Sequence, residues 1–372
     1  MVQVIRVALD GGPLLDPPTG VARYTAELHD ALETIGCDVS LFAVARGGDV
    51  RAQHRSVKRW RIPARIAQTL WMRTGHPTVG RLTRPADVVH ATNFVLPPTG
   101  AVPGVVTIHD LSFFRDDAFP GAERLRTLVP WSVERARAVI VPTKAVGDEV
   151  ADRLGVDAER IFVTHEGVSP IFFGATPLSD SALAEMGITA PFVLTVGTIE
   201  PRKNLARLLK AWGRSGLSDD GWTLVIAGPA GWGPDLAPTP GVVLPGWVAD
   251  ETLPGLLAAA EIFCYPSLYE GFGLPPLEAM AAGTAVVAGR YSAAEEVLGE
   301  AAALVEPSDT EGLAATLIGV AGEPDRRSSL ARRGRARALG FTWTETATRT
   351  LAAYEAVIQG GSAPLTGHKP WA

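Results

Sequence analysis

Only two cysteines, Cys37 and Cys264, occur in 372 residues. They are too few and too far apart in sequence for a disulfide framework or a CxxC metal site, and such a chain fits a reducing cytoplasm. Long hydrophobic runs are also missing: stretches such as Leu253 to Ala260 are broken by Glu, Pro or Gly well short of the roughly 20 residues that cross a bilayer. The opening MVQVIRVALDGG passes from a short apolar pattern straight into a glycine turn, without the extended hydrophobic region or cleavage site of a secretory signal. A basic excess is absent as well. Lys plus Arg number 34 against 40 Asp plus Glu, a formal charge of −6, which argues against a protein built around nucleic acid. No GxGxxG follows the first strand-like run, so the dinucleotide fingerprint is missing, and no short internal repeat is visible.

What remains is a globular composition, 47% hydrophobic and 20% charged, with enough apolar material for two domains. Charge is divided unevenly between the halves. Residues 1–175 carry 20 Lys or Arg against 19 Asp or Glu, and the rest carry 14 against 21. A cationic patch lies between Arg46 and Arg73, where Arg46, Arg51, Arg55, Lys58, Arg59, Arg61, Arg65 and Arg73 face Asp49 alone. Within it, SVKRWRIPARIAQTLWMR (56–73) interleaves Trp60, Ile62, Ile66, Leu70 and Trp71 with cations. That pattern suits a surface helix touching anionic lipid or a phosphorylated acceptor, interrupted at Pro63; a basic face packed on its own domain fits equally.

Short β-branched runs alternate with helical segments through both halves, which predicts an α/β architecture of parallel sheets with crossover helices. Strands are expected at 4–9, 39–44, 88–91, 105–109, 138–141 and 161–164, then at 192–196, 223–227, 242–244, 262–265, 285–288 and 302–305. Helices are expected at 21–33, 123–137, 144–154, 205–212, 253–260, 276–282 and 310–320. Residues 167–191 lack a sustained strand period and carry Pro, Gly and Ser, so they read as a linker. Domains of 1–172 and 173–345 follow, with a closing helix and weakly ordered tail over 346–372.

The most informative segment is PSLYEGFGLPPLEAMAAGTAVVA (266–288). Its Gly and Pro residues keep Glu270 on a loop and place Glu278 in the first turn of the following helix. Gly271 and Gly273 permit close backbone approach to a ligand, and the helix start presents unpaired N–H groups suited to an anion. A diphosphate flanked by sugars fits: amides for phosphate, carboxylates for hydroxyls. The second constellation is TVGTIEPRKNLARLLKAW (195–212), where Arg202 and Lys203 sit between a strand's carboxyl end and a helix, the usual ligand edge of an open α/β sheet. Adjacent cations there can offset a diphosphate's charge. In the first half, Gly20 opens a helix after a Gly/Pro loop (10–28), and His109 and Asp110 leave a buried strand at its carboxyl end. Each of these is open to a plain structural reading when taken alone.

Together these residues resemble a retaining glycosyltransferase of family four with the GT-B fold, two doubly wound Rossmann-like domains facing across a cleft, and in particular its bacterial mannosyltransferase-like members. TGVARYTAEL, IHDLSF, GTIEPRKN and the run from LPGWVADE to EAMAAGTAVVA carry the resemblance over nearly the entire chain. It implies a nucleotide-sugar donor on the C-terminal domain and a saccharide or lipid-linked acceptor on the N-terminal domain, with no metal. Arg202 and Lys203 would bind the donor diphosphate and Glu278 the ribose hydroxyls, with the main chain at Trp247 and Val248 meeting the base. Glu270 and the Gly271, Phe272, Gly273 and Leu274 amides would hold the transferred sugar, joined by His109, with Gly20 near the phosphates. GDP-mannose is the favoured donor, with UDP-glucose or UDP-N-acetylglucosamine as alternatives. An NDP-sugar epimerase or a silent sugar-nucleotide-binding protein ranks lower. Cysteine usage and the basic segment, rather than the resemblance, suggest a cytoplasmic protein with the inner membrane face as its site of any peripheral contact through residues 46–73. One departure is visible: family members commonly have Asn-Gly-Val before the linker, whereas this chain has Glu166-Gly167-Val168, and Glu166 receives no role.

Overall fold

Apolar runs of three to seven residues, too short for helices, become strands of two parallel sheets in the computed structural model, which describes residues 4–15, 19–46 and 56–360. The chain divides into one unit of Met1–Gly167 with Trp343–Ala372 and a second of Val168–Thr342. In the first, the strands are β1 (Arg6–Asp10), β2 (Asp38–Val44), β3 (Val57–Trp60), β4 (Val88–Ala91), β5 (Gly104–Thr107), β6 (Ala138–Val141) and β7 (Ile161–Val163). They lie in the order β3-β2-β1-β4-β5-β6-β7, with all pairs parallel. Helices α1 (Gly20–Thr34), α2 (Ala64–Thr74), α3 (Ala122–Arg135) and α4 (Lys144–Leu154) connect them.

In the second unit, β8 (Phe192–Val196), β9 (Thr223–Ala227), β10 (Val242–Gly246), β11 (Ile262–Tyr265), β12 (Ala285–Gly289) and β13 (Ala303–Val305) pair in the order β10-β9-β8-β11-β12-β13. Its helices are α5 (Pro170–Phe173), α6 (Asp180–Glu185), α7 (Leu205–Ser215), α8 (Leu253–Ala259), α9 (Leu274–Ala282), α10 (Ser292–Val297), α11 (Thr310–Gly322) and α12 (Pro324–Ala338). Strands such as FVLTV and IFCY have no polar alternation because helices cover both faces of a parallel sheet. Val193, Leu194, Ile262, Phe263 and Cys264 are accordingly fully buried.

Three sequence expectations change. Within 56–73 the part before Pro63 is not helical, since 57–60 form the edge strand β3, while α2 begins after Pro63, where the sequence predicts the interruption. Of the five apolar residues expected to line a surface helix, Trp71 is buried with its indole N–H donating to Pro77 O (3.1 Å), and Trp60 packs against the core. Ile66 and Leu70 remain exposed, while Asp49, Arg51 and Arg55 lie outside the described residues. The expected linker carries α5 and α6 inside the second unit, so the division falls at 167/168 rather than 172. The last helix, α13 (Trp343–Ile358), starts three residues earlier than expected and belongs to the first unit; the tail beyond 360 lies outside the described residues.

A buried polar chain fastens α13 to the first sheet. The Tyr354 hydroxyl meets His90 Nδ1 at 2.7 Å, His90 Nε2 meets Thr107 Oγ1 at 2.7 Å, and Tyr24 Oη meets the same hydroxyl at 3.1 Å. Burial, reinforced by nearby His109, pulls the His90 imidazole down to about 3. The unfolded imidazole titrates near 6.5, so the stabilisation is complete above that pH and is lost as pH falls toward about 3, by up to about 1.4 kcal/mol per pH unit. Denaturation of wild type and Tyr354→Phe at pH 7 checks the same contact: Phe leaves a buried imidazole nitrogen unpaired and is expected to cost about 1–3 kcal/mol. A cost below 0.5 kcal/mol would contradict it.

Candidate functional site

In the second unit, β8 and β11 are neighbours whose connections run to opposite sides of the sheet, the switch point where open α/β sheets form a ligand crevice. The β8 connection leaves through Gly197, whose φ of +153° only glycine adopts readily. A Cβ there would stand 3.3 Å from Lys203 Cε, so the lysine stem lies over bare backbone. Pro201–Lys203 make one 3₁₀ turn, closed by Asn204 at φ +59°. The Asn204 amide donates to Pro266 O (3.1 Å) and Pro307 O (2.9 Å), and Leu268 N donates to Arg202 O (2.9 Å). These bonds tie the β8 connection to the loop after β11 and bring the two sequence constellations together.

Glu270 is the centre of the result. Lys203 Nζ donates to its Oε1 at 2.7 Å, Tyr265 Oη donates to the same oxygen at 3.0 Å, and Arg202 donates to Oε2. Arg202 also donates to Glu200 Oε1 at 2.6 Å, and Lys203 Nζ to Tyr265 Oη. The Glu270, Lys203 and Arg202 side chains are 9%, 12% and 21% exposed, so the pairs are shielded from water. Burial alone would raise the Glu270 carboxyl, but Arg202 and Lys203 outweigh it and hold it below the usual carboxylate range. Burial pulls Lys203 below the usual lysine value against the attraction of Glu270, and pushes Glu200 up despite the two cations. Two acids and two bases make the cluster formally neutral, so an anion bound beside it also needs oriented amides.

Those amides come from the adjoining loop. Gly273, at φ +100°, precedes α9, and the helix start offers unpaired N–H groups and a positive dipole end. Phe272 and Leu274 are buried, Phe272 edge-on to Phe341 at 5.8 Å, so main chain rather than side chain is what they can present to a ligand. Glu278 is buried but is the fifth residue of α9, in the second turn rather than the first, because the helix begins at Leu274 before the two prolines. Trp247 and Val248 directly follow β10, and Trp247 is 53% exposed.

The remaining expected residues belong to the first unit. Gly20 is the first residue of α1, N-capped by Thr19, whose hydroxyl accepts from Ala22 N at 3.2 Å. Residues 16–18 of its loop lie outside the described residues. His109 lies two residues beyond β5, with Nε2 2.8 Å from Thr92 O and Nδ1 3.2 Å from Glu166 Oε1. Both ring nitrogens are thus engaged within the unit, and a sugar contact by this ring requires exchange of one bond. Glu166, given no role from sequence, is the partner; a separation of 57 positions hides it in the sequence. Asp10, likewise not singled out, ends β1 with its carboxyl pushed up to about 6 by burial against a Gly12 N–H bond. Among the described residues, His29, Asp30 and Glu33 on α1 form a group that could hold a metal, with the two carboxylates exposed.

Comparison with known proteins agrees with this architecture. Residues 190–323 match the family model described as glycosyl transferases group 1, and residues 18–171 match glycosyltransferase family 4. O-antigen chain mannosyltransferase B of Escherichia coli is 32% identical over 295 residues, covering 72% of this chain and 74% of that protein. D-inositol 3-phosphate glycosyltransferase of Kineococcus radiotolerans is 26% identical, covering 97% of each chain. Among solved structures, sucrose-phosphate synthase from Thermosynechococcus elongatus shares the fold with a TM-score of 0.72 at 21% identity, covering 96% of this chain and 100% of that one.

Proposed function

Because the chain belongs to the glycosyltransferases of group 1 and family 4, we propose a division of labour between the two halves of its GT-B fold. The protein is a hexosyltransferase. The second unit binds a nucleotide-sugar donor, GDP-mannose by preference, and the first binds a saccharide or lipid-linked acceptor. The observation that carries this reading is the Arg202–Glu270–Lys203 cluster at the β8/β11 switch point, beside the amino end of α9. Mannose is supported by the mannosyltransferase activity named for the Escherichia coli relative.

In this reaction the bond between the sugar's anomeric carbon and the diphosphate oxygen breaks, and a bond from that carbon to the acceptor oxygen forms on the same face. The acceptor's proton passes to the departing phosphate oxygen. Negative charge grows on the leaving group, where Lys203 as a point charge, Arg202 as a fork and the α9 amides stabilise it without a metal. Glu270 holds both cations in place and shares its oxygens with hydroxyls of the bound sugar. The Trp247 and Val248 main chain meets the base, and Glu278 the ribose. A donor screen with GDP-mannose, UDP-glucose and UDP-N-acetylglucosamine, read as nucleotide release with product analysis, tests the reading. GDP-mannose is expected to give the fastest release and a new α-mannoside. Isomerised donor, or binding without turnover, would overturn it.

Membrane contact is the second part of the proposal. No helix among the described residues is long and apolar enough to cross a bilayer. On α2, however, Ile66, Leu70 and Met72 are exposed beside Arg65 and Arg73, an arrangement suited to the inner leaflet's anionic surface. Sedimentation with phosphatidylglycerol vesicles is expected to exceed that with phosphatidylcholine vesicles; equal sedimentation removes this element.

A further inference from the structure

Tyr291 plays no part in the cluster above, yet its hydroxyl sits against the same loop. The residue follows β12 at the carboxyl edge of the sheet and precedes α10. Its Oη is closed off from solvent and has no hydrogen-bond partner among the described residues. A Cβ placed on Gly273 would be 3.6 Å from that oxygen, which puts the phenol beside the residue that opens α9. Burial drives the phenol well above its ordinary titration range, with Glu270 adding to the shift and Arg202 opposing it. The group therefore keeps its proton and is available as a donor.

A buried hydroxyl left without a partner destabilises the folded chain, and phenylalanine would fill the same volume without that cost. The hydroxyl is accounted for if a ligand supplies the acceptor. Close by are the α9 amide end, which favours an anion, and the charges of Arg202 and Glu270. Glu270 already accepts from Lys203, Tyr265 and Arg202 and makes no hydrogen bond to this phenol, and an anion held at the α9 amides is the acceptor that fits.

We propose that Tyr291 is a donor-binding residue whose hydroxyl donates a hydrogen bond to a phosphate oxygen of a nucleoside diphosphate seated at the amino end of α9. The assignment rests on the donor reading above and adds a residue to it. It carries a signature that a structural tyrosine lacks: the hydroxyl is useless or costly in the free protein and is satisfied only in the complex.

The test pairs calorimetric titration of wild type and Tyr291→Phe, with GDP, UDP and ADP as probes, with thermal denaturation of each free protein. For the diphosphate that wild type binds, Tyr291→Phe is expected to raise Kd about tenfold or more, while its Tm without nucleotide is unchanged or higher. Equal Kd values overturn the assignment and leave the donor reading standing. A lowered Tm in the free variant also overturns it, since the hydroxyl would then have a partner within the fold. If wild type binds none of the three diphosphates, the donor reading falls first and the Tyr291 assignment falls with it.

Discussion

Lys203→Met is expected to lower hexose transfer by about two to three orders of magnitude while the second unit stays folded. The substitution keeps an unbranched apolar stem over Gly197, where Lys203 Cε lies 3.3 Å from the position a Cβ would take. It removes the ammonium that sits 2.7 Å from Glu270. Glu270 retains Arg202 and the Tyr265 hydroxyl as donors, so the variant buries no unpaired carboxylate. What disappears is a compact positive charge next to the proposed diphosphate site, where water screens little. Initial rates of nucleotide release, compared with the thermal midpoint, separate the two effects. A rate within threefold of wild type would remove Lys203 from the site.

Glu270→Ala is expected to act in the opposite proportion, lowering stability as well as transfer. A buried ion pair that loses one partner leaves an uncompensated charge, at a cost of about 3–5 kcal/mol. Here one carboxylate serves two cations: Arg202 keeps Glu200, at 2.6 Å, whereas Lys203 keeps no carboxylate contact among the described residues. Glu270→Gln, which retains acceptor oxygen and volume, is expected to cost less. The pH dependence follows from the carboxyl being held below its ordinary value by Arg202 and Lys203 against burial. An unfolded glutamate titrates near 4.3, so the stabilisation is complete above that pH and is lost as pH falls toward the lowered folded value. Urea denaturation at pH 7 and at pH 3 measures this, and the gap between wild type and Glu270→Gln should narrow in acid. A Glu270→Ala protein within 1 kcal/mol of wild type at pH 7 would show that the carboxylate is not the cluster's keystone.

Much of the fold is legible in the sequence. The strands at 192–196, 223–227 and 262–265 and the helix at 144–154 coincide with their expected bounds, because each is a continuous apolar run or a clear 3.6-residue stripe between turn signals. Elements lacking that signal were missed. β3 is four residues, VKRW, in the middle of a basic stretch. It is a strand because β2 offers it an edge, with Leu41 opposite Val57 and Val44 opposite Trp60. The six-residue helix α10 was missed for a similar reason: SAAEEV is short and its buried Ala293, Ala294 and Val297 make a faint stripe. Glu278 was placed one turn too early because Pro275 and Pro276 suggested a later start than the one Gly273 permits.

The candidate site divides along the same physical line. Residue type and spacing single out Arg202, Lys203, Glu270 and the glycine loop as candidates, since a strand end, a Gly/Pro turn and a helix start are written in neighbouring residues and fix local backbone geometry. Which partner each charge takes depends on strand order. Glu270 meets Lys203 across 67 residues only because β11 lies next to β8 in the sheet. His109 finds Glu166 across 57 residues, and Tyr291 comes to lie beside Gly273 once β12 is set next to β11. The sequence by itself therefore determined two α/β units and the residue types carried by the loops at their strand ends. Tertiary structure alone decided that the cations are already paired, that both His109 nitrogens are engaged and that the buried Tyr291 hydroxyl has no partner among the described residues. Periodicity is set by neighbours along the chain, whereas charge pairing and burial are set by neighbours in space.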